Sequence, residues 1–436
     1  MCTNTVVVLA SGDSSRFWPL AQDRHKTLYP IYQGSTIFRM TLGGLLQNGF
    51  RKVIITAKPR DVERMRQEVP VDLEVVFVAQ ERADGQGDAL LKAAAHVAEE
   101  AFYVIAADKI YANVLIGSLK DQARVVGGCK CSQESVLIAT TPTDTPSLYG
   151  IVETMEVGCV ISKAKSIIEK PMVWPEPHPR RIVSAYRLTK EFIETLAALP
   201  SGPQSFEKAL DAYAKTCAVW SVPVDNIPET TLKYPWHLLG LNRLLMQNLQ
   251  QKMRDSFDVE EGATLKGPVH IEKSVYIARS AVVRGPCVIR EGARIGDFAL
   301  VRDSSYIGRN VVIGAHSEVK NSIICDGTKL HNACVLDSII DEGCNLGAGT
   351  HISNSRFDGK AITSFVRGEK ISTGLKHFGI VMGKGSRTAT LANFMPGVKI
   401  GRGCLIGGSF DVTKDLYNFH TEYRDGRGMI RTEFTL

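Results

Sequence analysis

No run of apolar residues in this chain comes near the ~20 needed to cross a bilayer, so no membrane span is expected. No CxxC pair occurs among its ten cysteines, at positions 2, 129, 131, 159, 217, 287, 325, 334, 344 and 404. Cys129-x-Cys131 is the one close pair, and it lacks the second pair or neighbouring histidine that a zinc site needs. No secretory signal precedes the cysteines, and free thiols in a reducing cytoplasm are the expectation. Neither a GxGxxG dinucleotide turn nor a GxxxxGK(S/T) phosphate loop is present. Long Lys/Arg runs are also missing: the net charge of +6 comes from 52 basic and 46 acidic residues. Such a mild surplus suits a small anionic substrate, and nucleic-acid binding is disfavoured by the want of a continuous basic stripe or an aromatic platform.

What is there is an ordinary globular balance. A length of 436 residues with 44% hydrophobic and 22% charged content implies two or more domains with ample core. Many of the 38 glycines crowd into the second half. From residue 5 to about 240 short β-branched runs alternate with helical patterns, which predicts a mainly parallel sheet covered by helices. Strands are expected at Thr5–Ala10, Val53–Ala57, Glu74–Gln80, Phe102–Ala107 and Val136–Thr140, and helices at Ile37–Phe50 and Gln86–Glu100. In such sheets ligands sit at the carboxyl ends of the strands. The first strand runs into Ser11-Gly12-Asp13-Ser14-Ser15-Arg16-Phe17-Trp18-Pro19-Leu20 and then His25-Lys26-Thr27-Leu28-Tyr29-Pro30. A small-residue loop at a strand end lets backbone N–H groups approach a triphosphate, and Arg16 and Lys26 would supply positive charge.

The spacing of that run resembles the signature of sugar-1-phosphate nucleotidylyltransferases, and further motifs follow in the family's order. Gln80 with Gly85-Gln86-Gly87-Asp88 is similar to the family's base-reading segment. Asp108 stands where the family carries its magnesium-binding aspartate. Tyr149-Gly150-Ile151-Val152-Glu153 and Ile168-Glu169-Lys170-Pro171 are similar to the elements that hold the sugar and its phosphate. Tyr234-Pro235-Trp236-His237-Leu238-Leu239 looks like the segment ahead of the linker. The resemblance implies an NTP and a sugar 1-phosphate as substrates, Mg²⁺ on Asp108, and pyrophosphate as leaving group steadied by Arg16, with Lys26 and Lys170 drawing the two phosphates together. It gives the nucleotide to Leu9, Gly12, Gln80 and Gly85, and the sugar phosphate to Gly150, Glu169 and Lys170. Ser14 replaces a second glycine and Gln86 a common threonine, which leaves the nucleobase open. Thr231-Leu232-Lys233 stands where the family often has Asp-Ile-Gly, and Asp225 and Glu229 are the carboxylates at hand to compensate.

Residues 241–256 read as a linker helix. Beyond it every sixth residue from Val259 is aliphatic: Leu265, Ile271, Ile277, Val283, Ile289, Ile295, Val301, Ile307, Ile313 and Val319. A six-residue period of this kind predicts a β-helix, with one short strand and a corner per unit and glycines at corners that need positive φ. Phe394, Ile400, Ile406 and Val412 resume the step after an irregular middle. The pattern resembles the left-handed parallel β-helix of hexapeptide-repeat proteins, which implies a homotrimer.

The irregular middle is similar to the acetyltransferase site of bifunctional sugar-1-phosphate nucleotidylyltransferase/acetyltransferases, including their archaeal members. On that resemblance His331 is the general base toward an amino-sugar 1-phosphate, Asn354 orients the sugar, Lys360 contacts its phosphate, and acetyl-CoA is cosubstrate near Thr373–Gly379 and Met395–Gly401. An imidazole titrating near pH ~6.5 suits that role. Cys334 stands where an aromatic Tyr usually follows the histidine by three positions. The expected fold is therefore a Rossmann-like nucleotidyltransferase domain over 1–240, a linker helix over 241–256, a left-handed β-helix over 257–416 and a tail over 417–436, in a cytoplasmic enzyme. Two other readings stay open: a nucleotidylyltransferase whose β-helix serves assembly or regulation, and a non-catalytic relative that binds sugar nucleotides.

Overall fold

The computed structural model describes residues 5–82, 84–126, 135–155, 161–174, 178–225, 227–228, 231–250, 252–253, 257–409, 411–425 and 428–433. Cys129, Cys131 and Glu229 lie outside the described residues. The chain divides into two compact units. The first holds residues up to Asp13, Thr27–Tyr29 and Thr36–Thr230; the second holds Ser14–Lys26, Pro30–Ser35 and everything from Thr231. The boundary expected at 240 therefore falls near 230, and two front segments cluster with the later half of the chain.

In the first unit a nine-stranded sheet runs in the order Glu74–Ala79, Lys52–Ala57, Thr5–Ala10, Ala101–Ala106, Arg180–Thr189, Val136–Pro142, Val219–Pro223, Ser162–Glu169, Gly150–Met155. The first four strands are parallel, and Arg180–Thr189 pairs antiparallel on both sides, so the sheet is more mixed than the sequence predicts. Alternation explains its two covered faces. Val6 and Val8 join one buried cluster with Phe38, Leu42 and Leu115, while Val7 joins the other with Leu90, Phe192 and Phe206. A parallel sheet covered on both faces needs such continuous aliphatic runs. The helix Ile37–Gln47 starts where Thr36 Oγ1 accepts from Arg39 N–H at 3.1 Å, which satisfies one orphan donor of its first turn.

Topology sets the site. The chain moves outward from Thr5–Ala10 to Lys52–Ala57 and Glu74–Ala79, then returns to place Ala101–Ala106 on the opposite side of Thr5–Ala10. The crevice between those two strands is the switch point at which open α/β sheets take ligands.

The second unit is a three-sided parallel coil. Asp258–Val259 pairs with Tyr276–Ile277, Thr264–Lys266 with Val282–Arg284, and Val269–Ile271 with Cys287–Ile289, each eighteen positions on and each in a different sheet. Stacked in this way, Ile271, Ile277, Val283 and their successors form one buried core. That arrangement is consistent with a β-helix. The corners are not reserved for glycine: Ser274, Ser280, Asn310, His316, Asn332 and Asp337 also adopt positive φ. Short polar side chains bond locally and tolerate that conformation, which is why glycine alone does not mark the turns.

Two expectations are corrected. The helix foreseen at 241–256 is instead His237–Met246, and Lys252–Met253 already pairs with His270–Ile271 in the coil. The apolar positions Leu238, Leu239, Leu241 and Met246 bury one helical face, so the pattern begins earlier and ends sooner. The six-residue count also slips after Val319. Ile307 pairs with Ile324 and Ile313 with Leu330, seventeen positions on, and Val319 with Val335, sixteen on. The strict count would put Cys325 and His331 on the aliphatic register. The shortened coils put Ile324 and Leu330 there, and His331 is turned out to solvent. An antiparallel hairpin, Thr363–Val366 with Glu369–Ser372, occupies the interruption before the coil resumes at Val381. The tail continues the stack: His420–Asp425 pairs parallel with Leu405–Ile406 and antiparallel with Gly428–Glu433.

Candidate functional sites

In the first unit the loop Ser11-Gly12-Asp13 leaves Thr5–Ala10 and Asp108 follows Ala101–Ala106, so both emerge at the carboxyl ends of the strands flanking the switch point. Gly12 is exposed, and a Cβ there would meet nothing within 4 Å, so its backbone is open to a ligand. Leu9, half-buried, pairs with Ala106 across the crevice. The Asp108 carboxylate is 14% exposed and lies 3.1 Å from Lys109 Nζ. Among the described residues no group of three or more His, Cys, Asp or Glu gathers to hold a metal.

Two strands out from Thr5–Ala10, Gln80 is buried at the end of Glu74–Ala79, with its N–H bonded to Ala57 O. Its Nε2 donates to Gly85 O at 3.2 Å and to Asp88 Oδ2 at 2.6 Å. That fixes the amide with its nitrogen turned toward the helix and leaves Oε1 as the acceptor. Burial works against the Asp88 carboxylate, but hydrogen bonds from Lys92 and Gln80 hold it below the usual carboxylate range. Gly85 precedes the helix Gln86–Ala94 with φ +97°, and a Cβ there would lie 2.8 Å from Gly202 O. Only glycine fits that turn.

Beside these, Gly150 pairs directly with Glu169, whose Oε2 would lie 3.0 Å from a Cβ at residue 150. Lys170 Nζ lies 2.5 Å from Glu169 Oε1, and Lys170 takes φ +49° as its N–H bonds to Tyr149 O at 2.9 Å. A non-glycine residue held in the left-handed region marks a place where the surroundings override local preference. Arg181 lies over the Tyr149 ring at 4.4 Å. Glu207, in the first turn of the helix Ser205–Thr216, was not singled out by any motif. Burial first, and the Glu169 charge with it, push its carboxyl above the usual range, so it is the titratable partner of the Glu169–Lys170 pair that sequence reading missed. An acid in a helical first turn carries no spacing signal of its own. Asp225 pairs with Arg180 at 2.6 Å.

Arg16 and Lys26 belong to the second unit by contact. Arg16 is exposed, and Lys26 Nζ donates to Leu232 O at 2.7 Å, in the stretch where the expected Asp is missing. Arg24 anchors the same segment to the coil through Asp341 at 2.9 Å and Glu342 at 2.7 Å.

On the coil His331 Nε2 lies 3.0 Å from Asn345 Oδ1. Asn354 Nδ2 donates to Asp337 Oδ2 at 2.6 Å, and the buried Asp337 also accepts from Asn321. His331 precedes the corner before the strand Cys334–Leu336, whereas Asp337 and Asn354 sit at the corner after it. Among the described residues no hydrogen bond joins His331 to Asn354 or Lys360. Lys360 is exposed, its N–H bonded to Asp358 Oδ1. Burial pushes the Cys334 thiol up to about 11, so it stays protonated at neutral pH.

The family described as Nucleotidyl transferase matches residues 5–218, and the GMPPB C-terminal domain matches 283–376. A "Bifunctional protein GlmU" of Methanococcus maripaludis strain C7 is 30% identical over 419 residues, spanning 94% of this chain and 95% of that protein. One of the same description from Methanocaldococcus jannaschii is 29% identical over 418 residues, spanning 94% and 95%. A "Bifunctional sugar-1-phosphate nucleotidylyltransferase/acetyltransferase" of Sulfurisphaera tokodaii is 29% identical over 401 residues, spanning 90% and 93%.

Proposed function

The chain belongs to the family of bifunctional sugar-1-phosphate nucleotidylyltransferases/acetyltransferases, and from that premise we propose that it N-acetylates an amino-sugar 1-phosphate on its coil and then transfers a uridylyl group to the product. Transfer of a nucleotidyl group to a sugar 1-phosphate is the activity its family and relatives support. The observation that carries the reading is the gathering of the loop 11–13 and Asp108 at the switch point, with Gln80 and Gly85 two strands out.

In the transfer, a phosphate oxygen of the sugar 1-phosphate attacks the α-phosphorus of the NTP and pyrophosphate leaves. No protein nucleophile is required, so alignment and charge do the catalysis. With its nitrogen committed to Gly85 and Asp88, Gln80 offers Oε1 to a base that presents a ring N–H. Uracil does so, as thymine and guanine do, so the acceptor suits UTP and disfavours ATP and CTP. Leu9 packs beneath the base, and the Gly12 backbone approaches the phosphates. Gly150 leaves room at the sugar, Glu169 accepts from its hydroxyls, and Lys170 pairs with its phosphate. Arg16 meets the leaving pyrophosphate and Lys26 the nucleotide. Asp108 fits Mg²⁺, a hard ion that takes one or two carboxylates and fills its shell with substrate oxygens and water. When bound it neutralises charge between the reacting phosphates.

In the acetylation, the sugar amine attacks the thioester carbon of acetyl-CoA, its proton goes to His331, and the CoA thiolate leaves. If Nε2–H donates to Asn345, Nδ1 carries the accepting lone pair. Asn354, held by Asp337, orients the sugar and Lys360 meets its phosphate. His331 and Asn354 lie at different corners on neighbouring turns of the coil, and we take the site to be completed by a neighbouring copy. The assembly that goes with this reading is the homotrimer of left-handed β-helices implied by the resemblance. A second reading, in which the coil is a structural or regulatory module, is favoured by the match of 283–376 to the GMPPB C-terminal domain. The test is a pair of variants. Asp108→Ala is expected to abolish magnesium-dependent pyrophosphate release while sparing acetylation, and His331→Ala the reverse; unchanged pyrophosphate release in the first would remove the site assignment.

A further inference from the structure

The second unit contains a cavity of about 770 Å³ that includes part of the segment Met395–Gly401 given to acetyl-CoA by resemblance, but most of its cations have no assigned role. Its floor is the coil at Pro396–Lys399 and its walls are the hairpin Thr363–Val366/Glu369–Ser372 and the segment carrying Ser15, Arg16 and Trp18. Six cations line it, Arg16, Arg356, Arg367, Lys370, Lys399 and Lys414, against the single acid Asp415. Two of the six are already balanced: Arg356 by Asp358 at 2.6 Å and Lys399 by Asp415 at 3.7 Å. Arg16, Arg367, Lys370 and Lys414 have no ion-pair partner among the described residues, and all four are exposed. Four exposed cations lining one cavity give it a positive field that favours an anion of several charges.

The walls are also aromatic. Trp18 lies 5.4 Å from Tyr417 and under the Lys399 ammonium at 4.8 Å, while Phe365 and Tyr417 remain 51% and 67% exposed. Lys399 is built in rather than incidental: its side chain is 4% exposed, and it donates to Phe365 O in the hairpin. The turn that presents Arg367 is equally fixed, with Arg367 at φ +53° and Gly368 at φ +85°, the positive pair that a tight two-residue hairpin requires. Arg367 Nη2 donates to Ser15 Oγ, which ties the hairpin to the segment bearing Arg16.

We propose that this cavity binds a free nucleoside di- or triphosphate as a second nucleotide site, its phosphates on Arg16, Arg367, Lys370 and Lys414 and its base against Phe365. The volume is that of an ordinary small-molecule pocket, and aromatic faces beside unpaired cations suit a base joined to phosphates better than phosphate alone. Resting on the function proposed above, which also gives Arg16 to the leaving pyrophosphate, occupancy competes for that side chain and slows nucleotidyl transfer.

The test uses the full chain and ADP as probe, by calorimetry without metal, with inorganic tripolyphosphate and CoA as comparators. Arg367→Ala/Lys370→Ala is expected to weaken ADP and tripolyphosphate about tenfold or more, the loss of two charge-assisted contacts. Phe365→Ala is expected to weaken ADP alone, and Gln80→Ala neither. An unchanged thermal midpoint in the hairpin variant, whose altered side chains are exposed, shows that the loss is local. The proposal is overturned if ADP does not bind, if Gln80→Ala alone removes binding, if the hairpin variant binds as the parent does, if Phe365→Ala leaves ADP unaffected, or if CoA binds more tightly than ADP, which would give the cavity to the acetyl donor. These outcomes are independent of the activity proposed for the first unit, whose failure would appear as lost pyrophosphate release with ADP binding intact.

Discussion

Replacing the buried Arg24 by alanine should strongly destabilise the second unit. The guanidinium, 10% exposed, holds Asp341 at 2.9 Å and Glu342 at 2.7 Å, and the Asp341 side chain is only 2% exposed. Removing one member of a buried pair leaves the other charge desolvated, at a cost of about 3–5 kcal/mol. Glu342 is 29% exposed and keeps Lys384 at 2.9 Å, so its share of the loss is small, about 0–1 kcal/mol. Against a typical total of ~5–15 kcal/mol that is a large fraction, visible as a lowered urea midpoint at unchanged slope. The pH dependence has a defined sign. Burial opposes the Glu342 charge, but Arg24 and Lys384 outweigh it and hold its carboxyl below the usual range. Its contribution is present above the ordinary carboxylate range and is lost as pH falls through the depressed folded value. The gap between parent and Arg24→Ala should therefore be widest near neutrality and narrow on acidification. Adding Asp341→Asn to the variant should recover part of the loss. Because Arg24 anchors the segment bearing Arg16 and Lys26, nucleotidyl transfer should fall with it. A midpoint shift worth less than ~0.5 kcal/mol, the usual scatter of surface substitutions, would refute the reasoning.

Two further outcomes follow from the first unit. Gln80→Leu removes the Oε1 acceptor and should raise KM for UTP by about tenfold or more, the worth of one buried hydrogen bond to a base; equal KM values in a steady-state assay would move base recognition elsewhere. Glu207→Gln should stabilise at pH 7–8 and lose that advantage in acid. Burial raises the Glu207 carboxyl, so charging it costs stability as pH rises from the ordinary range through the folded value, and glutamine never pays. Thermal midpoints of the two proteins across pH read the difference directly.

Much of this architecture is written in local patterns. Thr5–Ala10 is a strand with the bounds its aliphatic run predicts, and the stretches around Val53, Glu74, Phe102 and Val136 are strands within two residues of prediction. The period from Val259 to Val319 translates into a stacked core because each aliphatic residue faces inward. What failed was whatever depends on distant partners. The shortened coils after Val319 are set by pairing with the previous turn, so a count along the chain carries His331 inward when the structure turns it out. Ser14–Lys26 reads as a loop of the front half, but Arg24 finds Asp341 317 residues away, and no window sees that. The cavity beside Arg16 was equally hidden, since Arg367, Lys399 and Lys414 come from separate elements.

The central claim is that one chain acetylates an amino-sugar 1-phosphate and couples it to a nucleotide. The most direct measurement incubates the purified protein with Mg²⁺, a panel of NTPs and sugar 1-phosphates, with and without acetyl-CoA, and identifies products by mass. The account predicts pyrophosphate and a UDP-linked N-acetylated sugar from UTP, glucosamine 1-phosphate and acetyl-CoA together. A nucleotide sugar that never carries the acetyl group would contradict the bifunctional claim, and no nucleotide sugar from any pair would contradict the enzyme itself.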